Sequence, residues 1–144
     1  MGHSAGAFNV MSVLYSAQAY DLACREQIRA LIGLAGPYHF DYKDDPLCAD
    51  AFDQQIHYAQ VMPYYFVEKN AVRHYLFVAA NDKIVHPNNA LDFDRALKAI
   101  DNHSEIINIA RTGHISLMGS VARLFSRYFS TKKQILAALE RALV

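Results

Sequence analysis

Three short, largely apolar runs constrain this chain more than any other feature: Ile28–Ala35, which shows no alternation, His74–Ala80 and Glu105–Ala110. A strand covered on both faces reads this way, because neither side of its pleat meets water. Segments with helical spacing separate the runs. After the second, Asn81-Asp82-Lys83 turns towards Pro87, well placed as the first residue of a helix carrying Leu91, Phe93, Ala96, Leu97 and Ile100. After the third, Leu117, Val121, Leu124, Phe125, Tyr128 and Phe129 fall at helical spacing. Thr131 with Gln134 then reads as the capping box of a final helix through Leu136, Leu139 and Leu143. Ahead of the first run, Ala5–Leu22 reads as a mostly buried helix through Ala7, Val10, Met11, Leu14 and Ala17. Tyr38–Pro46, with Asp41, Asp44 and Asp45, reads as a loop, and Phe52–Val67, interrupted by Pro63, as one or two short helices. Strands that alternate with helices predict an α/β fold, a mostly parallel sheet with helices on both faces. The alternation opens on a helix.

The chain has 144 residues, enough for one domain over residues 1–144 at roughly 100 to 200 residues per domain. Fourteen Lys and Arg balance fourteen Asp and Glu, so the positive field that gathers nucleic acid or an anionic membrane surface is missing. No apolar stretch reaches membrane-spanning length and no signal-peptide pattern opens the chain, so a soluble, cytoplasmic protein is expected. Cys24 and Cys48 stand in no metal-ligand spacing and read as free thiols; neither a metal nor a cofactor is expected.

Gly2-His3-Ser4-Ala5-Gly6 matches G-x-S-x-G, in which a sharp strand-to-helix turn lifts a serine Oγ above the sheet. Both glycines are expected where a Cβ would clash across that turn. A serine hydroxyl becomes a nucleophile when a histidine takes its proton, and that histidine needs a carboxylate to hold its tautomer. Asp82 follows the run ending at Ala80 and His114 follows the run ending at Ala110, so a parallel sheet delivers both to the edge that carries Ser4. The chain order Ser4, Asp82, His114 fits that arrangement. His39, His57, His74, His86 and His103 show no such placement with an acid partner and read as structural or surface residues. His3 sits inside the turn, close enough to shape a pocket.

These residues, together with Gly33-Leu34-Ala35-Gly36-Pro37-Tyr38, Ala80-Asn81-Asp82-Lys83-Ile84-Val85 and Gly113-His114-Ile115-Ser116-Leu117, resemble the α/β-hydrolase superfamily. The resemblance is to its carboxylesterase and acetyl-esterase branch, which includes feruloyl-esterase-like and kynurenine-formamidase-like enzymes. It implies Ser4 as nucleophile, Asp82 and His114 as acid and base, and the Ala5 amide as one oxyanion-hole donor. It also implies a pocket bordered by His3, Tyr38 and Ile115, with Phe52–Val67 as a cap or, equally, a core-packing pair. The substrate it implies is a small carboxylic ester, hydrolysed through an acyl-enzyme.

In that family five strands and a His-Gly-Gly-Gly loop precede the serine turn, whereas here only Met1 precedes Gly2. A partial hydrolase fold is therefore expected, with the N-terminal strands and the strand carrying the turn absent. Losing one oxyanion donor costs on the order of 10² to 10³ in rate. An unpaired sheet edge is a template for association, so the chain is expected to form a homo-oligomer or to pair with a missing N-terminal half. The alternative function is a truncated, weak or inactive hydrolase fragment serving as an interaction or structural module. A phosphate-binding glycine loop is disfavoured, because no P-loop Lys follows Gly6.

Overall fold

The computed structural model describes residues 1–16 and 22–144. Its sheet has four parallel strands in the order β1 (Gly2–His3), β2 (Ala30–Leu34), β3 (Arg73–Ala79) and β4 (Ser104–Ile109). Among the described residues four helices accompany them: α1 (Ala5–Ser12), α2 (Asn88–Ala99), α3 (His114–Gly119) and α4 (Thr131–Leu143). Short 3-10 turns occupy Arg25–Gln27, Tyr58–Gln60 and Pro63–Phe66.

The alternation of β3 builds both layers. Leu76 and Val78 pack with Ala7 and Met11 of α1 and with Ala90, Phe93 and Leu97 of α2. Tyr75, Phe77 and Ala79 point to the other face, onto Leu117 of α3 and Ile135 and Ala138 of α4. Helices thus cover both faces, which is why β3 reads as a continuous apolar run. Strand β4 lies at the end of the sheet and keeps a half-buried alternation, with Ile107 and Ile109 inward and Asn108 exposed.

Several expectations are corrected. The strand leading into the serine turn is present as the two residues Gly2–His3, with Gly2 opposite Gly33 and His3 opposite Leu34. Helix α1 ends at Ser12, because Tyr15 is drawn into the core, where its hydroxyl lies 2.8 Å from His74 Nε2. Residues 17–21 of the predicted helix lie outside the described residues. Helix α3 stops at Gly119, where Ser120 Oγ donates to the Leu117 carbonyl (2.6 Å) and lies 2.5 Å from Thr131 Oγ1. Such a side chain competes with helix propagation, and residues 121–128 form turns that leave Leu124, Phe125 and Tyr128 exposed. Thr131 lies within α4 rather than at its cap, and no side chain caps that helix. Its buried stripe is Thr131, Ile135 and Ala138, whereas Leu136, Leu139 and Leu143 face outward.

Tyr38 explains two glycines. A Cβ on Gly33 would stand 1.9 Å from the Tyr38 hydroxyl, and one on Gly36 would stand 2.3 Å from its ring. The ring is fully buried and stacks on Phe93 at 5.0 Å. Its hydroxyl has no hydrogen-bond partner among the described residues, and burial pushes its pKa well above the usual tyrosine value. Among the same residues no helix is long and apolar enough to cross a membrane.

A buried polar chain holds the opposite end of the sheet. Asn70 Nδ2 donates to Tyr15 Oη (2.7 Å), which lies 2.8 Å from His74 Nε2, and His74 Nδ1 lies 2.9 Å from the His103 carbonyl. A carbonyl only accepts, so Nδ1 carries the proton and Nε2 accepts from Tyr15. The ring is thereby held neutral. Burial lowers the His74 pKa from 6.5 to about 4. Between these values the unfolded chain binds a proton that the folded chain refuses, so stability falls as pH drops through that window and levels off below it. The expected loss is about 3 kcal/mol. Urea unfolding from pH 7 to pH 4 checks this, with His74→Gln expected to flatten the dependence; equal slopes for the two proteins would contradict it.

Candidate active site

The Ser4 amide donates to the Leu34 carbonyl (2.9 Å), carrying the β1–β2 ladder one residue past the strand. The backbone then turns at φ 54° and ψ −124°, a conformation that costs a residue with a side chain about 1–3 kcal/mol. Helix α1 begins at once, with the Ser4 carbonyl accepting from the Ala7 (2.9 Å) and Phe8 (3.2 Å) amides. The turn presses Gly2 against Gly6: a Cβ on Gly2 would lie 2.1 Å from the Gly6 carbonyl oxygen. At Gly6 itself a Cβ would meet nothing within 4 Å. The expectation that both glycines are sterically required is therefore corrected, since the clash involves the Gly6 backbone but only the Gly2 side-chain position.

Asp82 stands three residues past β3, and its side chain is only 1% exposed. Oδ1 accepts from the Ile84 and Val85 amides, both at 2.9 Å, while Oδ2 lies 2.9 Å from His114 Nδ1. Amides of its own loop thus hold Oδ1 and leave Oδ2 for His114. That loop is tied to the one bearing His114 by Ala80 N–H to the Ile109 carbonyl (3.2 Å) and Asn81 N–H to the Thr112 carbonyl (2.8 Å). His114 opens α3 with its side chain buried, and its Nε2 lies 2.8 Å from Ser4 Oγ. An ionised carboxylate only accepts, so Nδ1 is the protonated nitrogen and Nε2 presents its lone pair to the Ser4 hydroxyl. Ser4, His114 and Asp82 come together in one hydrogen-bonded line.

The other expected residues separate. Ala5 heads α1, so its amide has no acceptor within the helix, and it lines a cavity of about 570 Å³ together with Ser4. Tyr38 is wedged in the core as described, away from that cavity. Ile115 is 76% exposed and lines a second cavity, of about 660 Å³, together with His114. His3 does more than border a pocket. Its Nε2–H donates to the His114 carbonyl (2.8 Å), and its ring lies 4.8 Å from the His114 ring, so the residue before the serine braces the histidine. Sequence spacing carries no sign of this contact, because its partner is 111 residues away.

The cover over the Ser4 cavity is built mainly from residues 40–52. Phe40 and Phe52 line the cavity; Phe52 stacks on buried Tyr42 (4.5 Å) and meets Phe8 of α1 edge-on (5.5 Å). Tyr64, Phe66 and Val67 instead pack on the core beside α1 and α2. The Phe52–Val67 segment thus divides between its two readings. His39, read as structural or surface, pairs with an acid that spacing did not indicate: its Nδ1 lies 3.1 Å from Asp92 Oδ2, its Nε2 lies 3.1 Å from Tyr65 Oη, and it stacks on Tyr64 at 3.9 Å. His57 and His86 accept local amides through Nδ1 (3.2 Å each), and His103 packs on Tyr75. Among the described residues no group of three or more His, Cys, Asp or Glu side chains is placed to hold a metal ion.

Among solved structures the fold matches Est2, a thermophilic esterase of the planctomycete Thermogutta terrifontis. Native Est2 superposes with a TM-score of 0.70 over 99% of this chain and 52% of its own, at 15% identity. The propionate-bound form gives 0.68 over 99% and 53%, at 17% identity. A form phosphoramylated by tabun gives 0.58 over 78% and 43%, at 18% identity. This chain has an esterase-like α/β fold. It spans about half the length of the structures it matches. No protein-family model matches it, and neither does any curated protein.

The two glycines give a paired prediction. Gly2→Ala is expected to destabilise the fold by about 2–3 kcal/mol through overpacking against backbone. Gly6→Ala is expected to be neutral or to stabilise by up to about 1 kcal/mol through helix propensity. Urea unfolding of both variants checks this, and equal losses would contradict it.

Proposed function

We propose that this chain carries the nucleophile, base and acid of a carboxylesterase-type serine hydrolase acting on small carboxylic esters. The observation that supports this reading best is the line Ser4 Oγ, His114 Nε2, His114 Nδ1 and Asp82 Oδ2, at 2.8 and 2.9 Å, with Ser4 raised on a positive-φ turn. In this reading Ser4 Oγ attacks the ester carbonyl carbon as His114 Nε2 takes the hydroxyl proton. Negative charge collects on the carbonyl oxygen, where the Ala5 amide at the head of α1 donates. Asp82 keeps Nδ1 protonated and stabilises the imidazolium. The carbon–oxygen bond to the alcohol then breaks, and the alkoxide leaves with the proton from His114. Water, giving a proton to the same nitrogen, attacks the acyl carbon; the bond to Ser4 Oγ then breaks, Oγ takes that proton back from Nε2, and the acid product departs. A preference for esters over amides, and the carboxylesterase and acetyl-esterase branch, rest on the resemblance of the motifs around Ser4, Asp82 and His114.

Hydrolysis of p-nitrophenyl butyrate tests this. Turnover is expected, with a burst of p-nitrophenol approaching the enzyme concentration where deacylation is the slower step. Ser4→Ala and His114→Ala are expected to lose activity by about 10⁴-fold or more, and Asp82→Asn by about 10³–10⁴-fold as the tautomer is lost. Activity that survives Ser4→Ala within tenfold of wild type would overturn the reading.

A further inference from the structure

We propose, resting on the hydrolase reading above, that the cavity beside His114 receives the alcohol half of the ester and that this half is large and apolar. Ser4 and His114, joined by a hydrogen bond, each line a different cavity. The first, about 570 Å³, is lined by Ser4 and Ala5; the second, about 660 Å³, is lined by His114; and Ile84 borders both. The chemistry distributes the substrate between them. The acyl carbon bonds to Ser4 Oγ with its oxygen at the Ala5 amide, so the acyl group lies in the first cavity. The departing oxygen must collect its proton from His114 Nε2, so the alcohol lies on the side that His114 lines.

The lining sets the class of alcohol. Ile84, Ile115, Phe125 and Phe129 supply its walls. Ile115 is 76% and Phe125 49% exposed, an apolar cluster left open to water at the mouth of the site. Such clusters on a protein surface mark ligand or partner sites, and a volume of this size takes a drug-sized apolar group. Among the described residues lining it, Lys83 carries the one permanent charge, so a cationic alcohol finds no counter-charge there. The corresponding ester is that of a bulky, uncharged aryl or alkyl alcohol.

The test compares ethyl butyrate with 2-(1-naphthyl)ethyl butyrate, which share an acyl group and a primary alkoxide leaving group. Wild type is expected to prefer the naphthyl ester in kcat/KM by about tenfold or more, and Phe125→Ala and Ile115→Asp to cut that ratio by about tenfold. Binding of free 2-(1-naphthyl)ethanol, read by its own fluorescence, is expected to be equal in wild type and Ser4→Ala and about tenfold weaker in Ile115→Asp. Equal kcat/KM for the two esters in the wild type, or no binding of the naphthyl alcohol, would overturn the proposal. Inert esters with Ile115-dependent alcohol binding would overturn the hydrolase reading instead and uphold the ligand class of the cavity.

Discussion

Ser4 can occupy a positive-φ turn only because Gly2 places no side chain against the Gly6 carbonyl, and the rest of the site depends on that close approach. The turn is fixed from both sides. Behind it, β1 is registered on β2 at Gly33 and Leu34, and the Ser4 amide adds one more rung. Ahead of it, α1 buries Ala7 and Met11 in the core, so the helix cannot rotate to relax the strain. The strain of about 1–3 kcal/mol is offset by burial of these side chains, each apolar group contributing on the order of 1 kcal/mol or more. What results is a hydroxyl held above the carboxyl edge of the sheet.

Parallel pairing brings the other two groups to the same place. Strands β3 and β4 end at that edge, and the loops that leave them are stitched together by the Ala80 and Asn81 amides. The Asp82 carboxylate is aimed by two backbone amides and the His114 ring by the carboxylate, with His3 bracing it from the serine side. Order therefore passes from backbone to carboxylate to imidazole to hydroxyl, each step a hydrogen bond whose donor is determined by its acceptor. Burial of Asp82 and His114 strengthens these bonds, because little water competes for them.

Where local chemistry decided, the sequence was readable. Apolar runs marked β2 and β3 because both faces of the sheet are covered there, while β4 at the sheet's end stayed apolar on its inward side, and Ser4, Asp82 and His114 each stand just past a strand. Where long-range packing decided, it was not. Tyr38 follows Gly36-Pro37 in a motif that suggests a pocket, yet its ring fills the space that Gly33 and Gly36 leave empty. Helix α4 is apolar around much of its circumference, so periodicity alone favoured Leu136, Leu139 and Leu143 over the stripe of Ile135 and Ala138 that the sheet selects. The His39–Asp92 pair and the His3–His114 brace join residues 53 and 111 positions apart, a distance at which spacing carries no signal.

We propose that Ser4 is activated because its turn delivers the hydroxyl to His114, whose tautomer the Asp82 carboxylate already fixes. Reaction of the folded chain with a fluorophosphonate, read by intact mass and peptide mapping, tests this most directly, because such probes bond only to an activated serine. One adduct per chain, on the peptide containing Ser4 and lost in His114→Ala, is the predicted result. A folded chain that takes no label, or takes it at another residue, would contradict it.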